Sequence, residues 1–202
     1  MKHPRILLNA SIAATAGLFL LVTGCAQNRL AMDYQIKLDR EFGIQHVKET
    51  ETFHSGEKFL LRVTTHSDGY LYILNRGTSG RYNVLYPRRE VNNGSAFVPG
   101  WQYVTVPAHG SFQFDVHPGV ETMIICSSRK AVPQLDRIVL GTLTDPKAIE
   151  ECLHDLSAES KHEGSFTKTH HPDHTQVVLM SPKKDAVMVN TIRLAHTQTG
   201  RH

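Results

Sequence analysis

Tyr34, Ile36 and Leu38 alternate with Gln35, Lys37 and Asp39, the period of two expected of a strand with one buried face. The turn His54-Ser55-Gly56-Glu57 leads into a second alternation, Phe59, Leu61 and Val63, which Ser67-Asp68-Gly69 closes. Tyr70-Leu71-Tyr72-Ile73-Leu74 is then apolar without interruption, the pattern of a strand covered on both faces. Asn75 to Gly80 holds residues that reach positive φ, so Tyr82, Val84 and Tyr86 read as the antiparallel return strand, ended by Pro87. Further strands are expected over 102–106, 111–116 and 120–127, divided by Pro107-Ala108-His109-Gly110 and His117-Pro118-Gly119. Gln176–Met180 and Ala186–Leu194 read as a last hairpin around Ser181-Pro182-Lys183-Lys184-Asp185. Many short strands with regular turns predict a mostly β protein, an antiparallel β-sandwich or barrel.

One short amphipathic helix interrupts this pattern toward the C-terminal part. Asp145 offers an N-cap and Pro146 a first helical residue. Ile149, Cys152, Leu153 and Leu156 follow as a single apolar stripe, predicting a helix over 146–158. Residues 157–174 are polar, rich in histidine and aperiodic, which predicts a surface loop. The tail from 195 to 202 is expected to fray. The single domain is placed at 33–194.

The N-terminal 24 residues carry a different pattern. Lys2 and Arg5 precede an apolar run from Ile6 to Val22 that Asn9, Ser11 and Thr15 make marginal for a membrane span. This is the architecture of a secretory signal, 1–24, rather than part of the fold. Leu21-Val22-Thr23-Gly24-Cys25 resembles the lipobox of bacterial lipoproteins. The resemblance implies a diacylglycerol thioether on Cys25, cleavage before it, and acylation (palmitate, for instance) of its amine. Two or more acyl chains suffice for stable anchoring. Ala26, where an aspartate would favour the inner membrane, implies by the same resemblance an outer-membrane lipoprotein facing the periplasm. Residues 25–32 are then a lipidated tether.

Charge and cysteines narrow the picture further. Removing 1–24 takes away two cations and no acid, so the formal charge falls from +3 to +1. A near-neutral domain lacks the basic footprint that nucleic acid requires. With Cys25 lipidated, Cys126 and Cys152 remain, in a compartment that permits a disulfide. Both also lie in apolar surroundings, where two buried thiols pack as small hydrophobes, so either state is open.

The central block raises a family resemblance. Ser55-Gly56-Glu57 precedes an alternating strand, and Asp68-Gly69-Tyr70-Leu71-Tyr72-Ile73-Leu74-Asn75 leads to Gly80-Arg81-Tyr82-Asn83-Val84-Leu85-Tyr86-Pro87. Val98-Pro99-Gly100, Val106-Pro107 and Pro118-Gly119-Val120-Glu121 follow in order. Over 52–130 the chain resembles the bacterial family called domain of unknown function 4384. The resemblance implies an immunoglobulin-like β fold found in envelope proteins, and it carries no catalytic residues over.

Chemistry is sparse. His170-His171-Pro172-Asp173-His174 offers imidazole and carboxylate ligands for zinc or copper, with His162 and Glu163 nearby. A histidine-rich loop is only a compositional metal signal, so a solvated loop is the favoured reading of His170, His171 and His174. Gly77-Thr78-Ser79-Gly80 lacks the spacing of a nucleophile elbow, and a cysteine inside an apolar strand is inert. No catalytic residue and no cofactor is therefore assigned. Arg88, Arg89 and Trp101 are the expected partner-binding rim. The function expected is a non-catalytic binding module with an envelope protein partner. The alternatives are a periplasmic metal-binding protein and, behind it, a cell-wall hydrolase.

Overall fold

The computed structural model describes residues 28–40 and 43–198. The expected signal peptide and Cys25 lie outside these residues. In chain order the strands are β1 (Asn28–Arg40), β2 (Gly43–Val47), β3 (Phe53–His54), β4 (Lys58–Thr65), β5 (Gly69–Arg76) and β6 (Tyr82–Tyr86). They continue with β7 (Phe97–Val98), β8 (Tyr103–Val106), β9 (Phe112–Gln113) and β10 (Gly119–Ser128). Helices α1 (Pro133–Val139) and α2 (Pro146–Glu163) precede β11 (Ser165–His170), β12 (Thr175–Ser181) and β13 (Val187–Thr197).

These strands form two sheets packed as a sandwich. One runs β11-β12-β1-β4-β8, with β2 and β9 as additional partners of β1 and β4. The other runs β3-β13-β10-β5-β6, with β7 added to β5. The alternating residues of the first sheet, among them Met32, Ile36, Leu38, Leu61, Val63 and Val177, meet Leu71, Ile73, Met123, Ile125 and Ile192 of the second in one buried core. The chain is mostly β as expected, and of the sandwich and the barrel that the pattern left open, the sandwich is the fold observed.

The uninterrupted run in β5 behaves as its sequence predicts. Leu71 and Ile73 face the first sheet, whereas Tyr72 and Leu74 enter a second core with Cys126, Leu135, Ile149, Leu153 and Leu156. Helices thus cover the outer face of the second sheet. β6 pairs antiparallel with β5, with a register shift between Ile73 and Leu74. Gly69 opens β5 because a Cβ there would stand 2.5 Å from the Ser128 carbonyl oxygen.

Several expectations are corrected. Among the described residues two α-helices occur rather than one: α1 starts with Pro133 and buries Leu135 and Ile138, too short a stripe to announce itself. α2 is capped by Asp145, whose carboxylate accepts from Ala148 N at 2.8 Å, but it runs 18 residues. Ser160 occupies the next position of its stripe, buried, its hydroxyl donating to the Leu156 carbonyl at 2.8 Å, so a polar residue disguised the last turns. The expected loop over 157–174 is therefore the end of α2, then β11 and the turn to β12. The last two strands are not a hairpin: β12 joins the first sheet beside β1, and β13 joins the second beside β10. Nor are the ends as loose as expected. β1 begins at Asn28, with Leu30 and Met32 buried, which cuts the tether short. β13 continues to Thr197, with His196 only 2% exposed, where fraying was expected.

Candidate binding cleft

Sheet edges place the principal concavity. β6 ends the second sheet, and β9 lies at the side of the first where β4 begins. Between them opens a cleft of about 950 Å³. Phe59, Phe112 and Phe114 form much of its apolar floor, with Leu85 and Met123 from the opposite sheet. The three rings pack on one another, Phe59 against Phe114 at 4.7 Å and against Phe112 at 5.4 Å between centroids. Asn75 also borders the cleft, and its amide donates to the Glu121 carboxylate at 3.1 Å.

Arg88 and Arg89 lie on the cleft's rim, as does Glu90, which pairs with Arg88 at 3.6 Å. Among the described residues Arg89 makes no ion pair, so its guanidinium is available to an incoming anion. Exposed Leu140, just past α1, adds an apolar lip. Sequence reasoning found the arginines but not the phenylalanine floor. A strand was expected over 111–116, but β9 covers only Phe112–Gln113 with Phe114 just beyond it, and only the fold brings the two rings beside Phe59.

Trp101 is elsewhere. It is 70% exposed with φ of 64°, and its ring stacks on His66 at 4.4 Å. Its backbone N–H donates to the Thr65 carbonyl at 2.6 Å, which fixes it beside the β4–β5 turn. The three residues expected to share one rim therefore fall on two surfaces, Arg88 and Arg89 on the cleft and Trp101 apart.

The histidines are divided as well. The His170 ring meets the Thr175 hydroxyl at 3.0 Å, while the His171 and His174 rings stack at 4.4 Å. His174 Nδ1 lies 2.8 Å from Asp173, whose carboxyl is held below the usual carboxylate range chiefly by that hydrogen bond. His174 Nε2 faces Asp33 at 4.0 Å, and His66 Nε2 reaches the other oxygen of Asp33 at 2.8 Å. His66 was not foreseen here, because the sheet brings it from a turn over a hundred residues away. Among the described residues no three histidine, cysteine or acidic groups are disposed to hold a metal ion.

Other polar groups have structural partners. The Tyr34 hydroxyl donates to Glu49 at 2.6 Å, and burial raises its pKa above that of an ordinary phenol. Lys168 closes this network, with Nζ 2.5 Å from Glu49. Cys126 and Cys152 are free thiols in the helix-covered core, and burial pushes the Cys126 thiol up to about 12. Such a thiol is a poor nucleophile at neutral pH.

No curated protein matches the chain, and no solved structure does. Residues 52–131 match the family model described as Domain of unknown function (DUF4384). That segment contains Phe59, Leu85, Arg88, Arg89, Phe112 and Phe114, and it leaves out β1, both helices and β11 to β13. The chain thus carries, at the centre of its sandwich, a domain resembling the DUF4384 family.

Proposed function

We propose that this protein is a lipid-anchored cell-envelope lipoprotein whose β-sandwich binds an extended segment of an envelope protein partner in the Phe59–Arg89 cleft, without catalysis. The carrying observation is the cleft itself: an aromatic floor between two strand edges, with an arginine on its rim. A strand edge supplies backbone hydrogen bonds to an added strand, and the pockets beside it supply selectivity. Arg89 would favour an acidic residue at one end of that segment. Anchoring through Cys25 to the outer membrane, facing the periplasm, is supported by Val22-Thr23-Gly24 before the cysteine and by Ala26 after it. Phe59 pairs with Leu38, ten residues along β1 from Asn28. At about 3.3 Å per residue, the cleft floor stands roughly 33 Å from the anchored end, well placed for a partner outside the membrane.

A photo-crosslinking side chain at Asn83, beside the cleft, tests this in living cells. It should yield one defined adduct that disappears with Arg89→Glu. The same side chain at Thr167, on the exposed face of the first sheet, should not yield that adduct. Equal labelling from both positions, or turnover of peptidoglycan fragments by the purified protein, would overturn the reading.

A further inference from the structure

The early start of β1 leaves almost no slack between anchor and domain. Only Ala26 and Gln27 separate Cys25 from Asn28, where pairing with Ser181 begins. Three Cα–Cα steps span at most about 11 Å. A lipid on Cys25 would therefore hold the Asn28 end of the sandwich against the bilayer surface.

That end has a composition suited to the contact. Arg29, Arg129 and Lys130 are exposed there, and the Arg129 guanidinium donates to the Arg29 carbonyl at 3.1 Å. Lys184 follows Ser181, the partner of Asn28, in the turn toward β13. The acids nearby are fewer or engaged: Glu159 binds Lys183 at 2.8 Å, the Asp68 carboxylate takes the Gly100 N–H at 2.8 Å, and Asp185 lies beside Lys184.

Trp101 belongs to the same end. His66, on which it stacks, donates its backbone N–H to the Ala31 carbonyl, three residues from Asn28. A tryptophan with an apolar body and a polar N–H is suited to the boundary between headgroups and hydrocarbon. Its left-handed backbone, uncommon for a bulky residue, presents the ring outward instead of to the core.

We infer that the Arg29–Arg129–Lys130 end of the sandwich, with Trp101 at its side, is a membrane-docking surface for the anionic headgroups of the bilayer that holds the anchor. This rests on the lipid anchor proposed above. Short tethering makes the contact intramolecular in effect, so weak headgroup attraction suffices to fix the orientation. The domain then stands upright and the cleft points away from the membrane.

Trp101 is the chain's one tryptophan and so reports its own position. The full-length protein, extracted from membranes, is reconstituted into vesicles of phosphatidylethanolamine and phosphatidylglycerol carrying brominated acyl chains. Trp101 fluorescence should be quenched, and quenching should fall several-fold in high salt, in phosphatidylcholine vesicles, or with Arg29→Glu and Lys130→Glu together. Flotation with the vesicles should remain unchanged throughout. A protein that floats with the vesicles while Trp101 stays unquenched would overturn the docking surface and leave the anchor standing. A protein that does not float would overturn the anchor, and the docking surface with it.

Discussion

Tyr72 is bound to Asp136 across the boundary between sheet and helix, its hydroxyl donating to the carboxylate at 2.8 Å. The same oxygen accepts the Val132 N–H at 3.1 Å, so one phenol from β5 fixes the start of α1. Tyr72 is fully buried, and burial followed by the acidic partner raises its pKa.

Tyr72→Phe should therefore destabilise the fold by about 1–3 kcal/mol at neutral pH, because it strands the Val132 N–H. The pH dependence has a definite sign. A folded-state pKa above the ordinary phenol value means a contribution intact below about 10 and lost as pH rises. Thermal melts above pH 10 should fall more steeply for the wild type than for Tyr72→Phe. Parallel pH profiles would remove Tyr72 from this role.

Ile73 is wholly buried between the sheets, whereas Arg88 and Arg89 lie on the cleft rim. Ile73→Ala should cost about 2–5 kcal/mol in urea unfolding. Arg88→Ala and Arg89→Ala should each stay within about 0.5 kcal/mol and act on partner binding instead, in a salt-sensitive manner. A tolerant Ile73 beside structurally critical arginines would contradict the division between core and rim.

Cys126 should resist alkylation at neutral pH until the protein is unfolded. Its thiol is fully buried and its pKa pushed up to about 12, first by burial and then by nearby Cys152. Cys152 should react slowly before unfolding, since burial raises its pKa as well. Mass spectrometry under non-reducing conditions should find both thiols alkylated after denaturation. A blocked pair would show that they bond to each other in the folded protein.

His170, His171 and His174 turn their rings to Thr175, to one another and to Asp173. Replacing all three by serine should change stability by no more than about 1 kcal/mol without added metal, as for other exposed polar contacts. Equimolar zinc or copper should leave the melting temperature of the wild type unmoved. A metal-induced rise lost in the triple variant would instead support the metal-binding alternative.

Cys25→Ala should abolish incorporation of labelled fatty acid and leave the precursor unprocessed. Labelling that survives this substitution would move the anchor to another residue or remove it.

Strand periods determined much of this molecule directly. Tyr34 to Leu38, Phe59 to Val63 and the doubly apolar β5 were each legible, because a residue's burial on a pleated strand follows from its parity. The Asp145-Pro146 start of α2 was legible for an equally local reason, one side chain satisfying one backbone N–H. The rim arginines stood out because they directly follow Pro87, which ends β6.

Partnership between distant segments was not legible. β12 and β13 alternate as a hairpin would, yet they separate into different sheets, because the partners that complete their hydrogen bonds are β1 and β10. Phe112 and Phe114 became a cleft floor only by meeting Phe59, and His66 met Asp33 only through the pairing of β1 with β4. Local sequence sets which face of a strand is apolar. Which strand lies beside it depends on burying every such face at once, and that condition exists only in the folded chain.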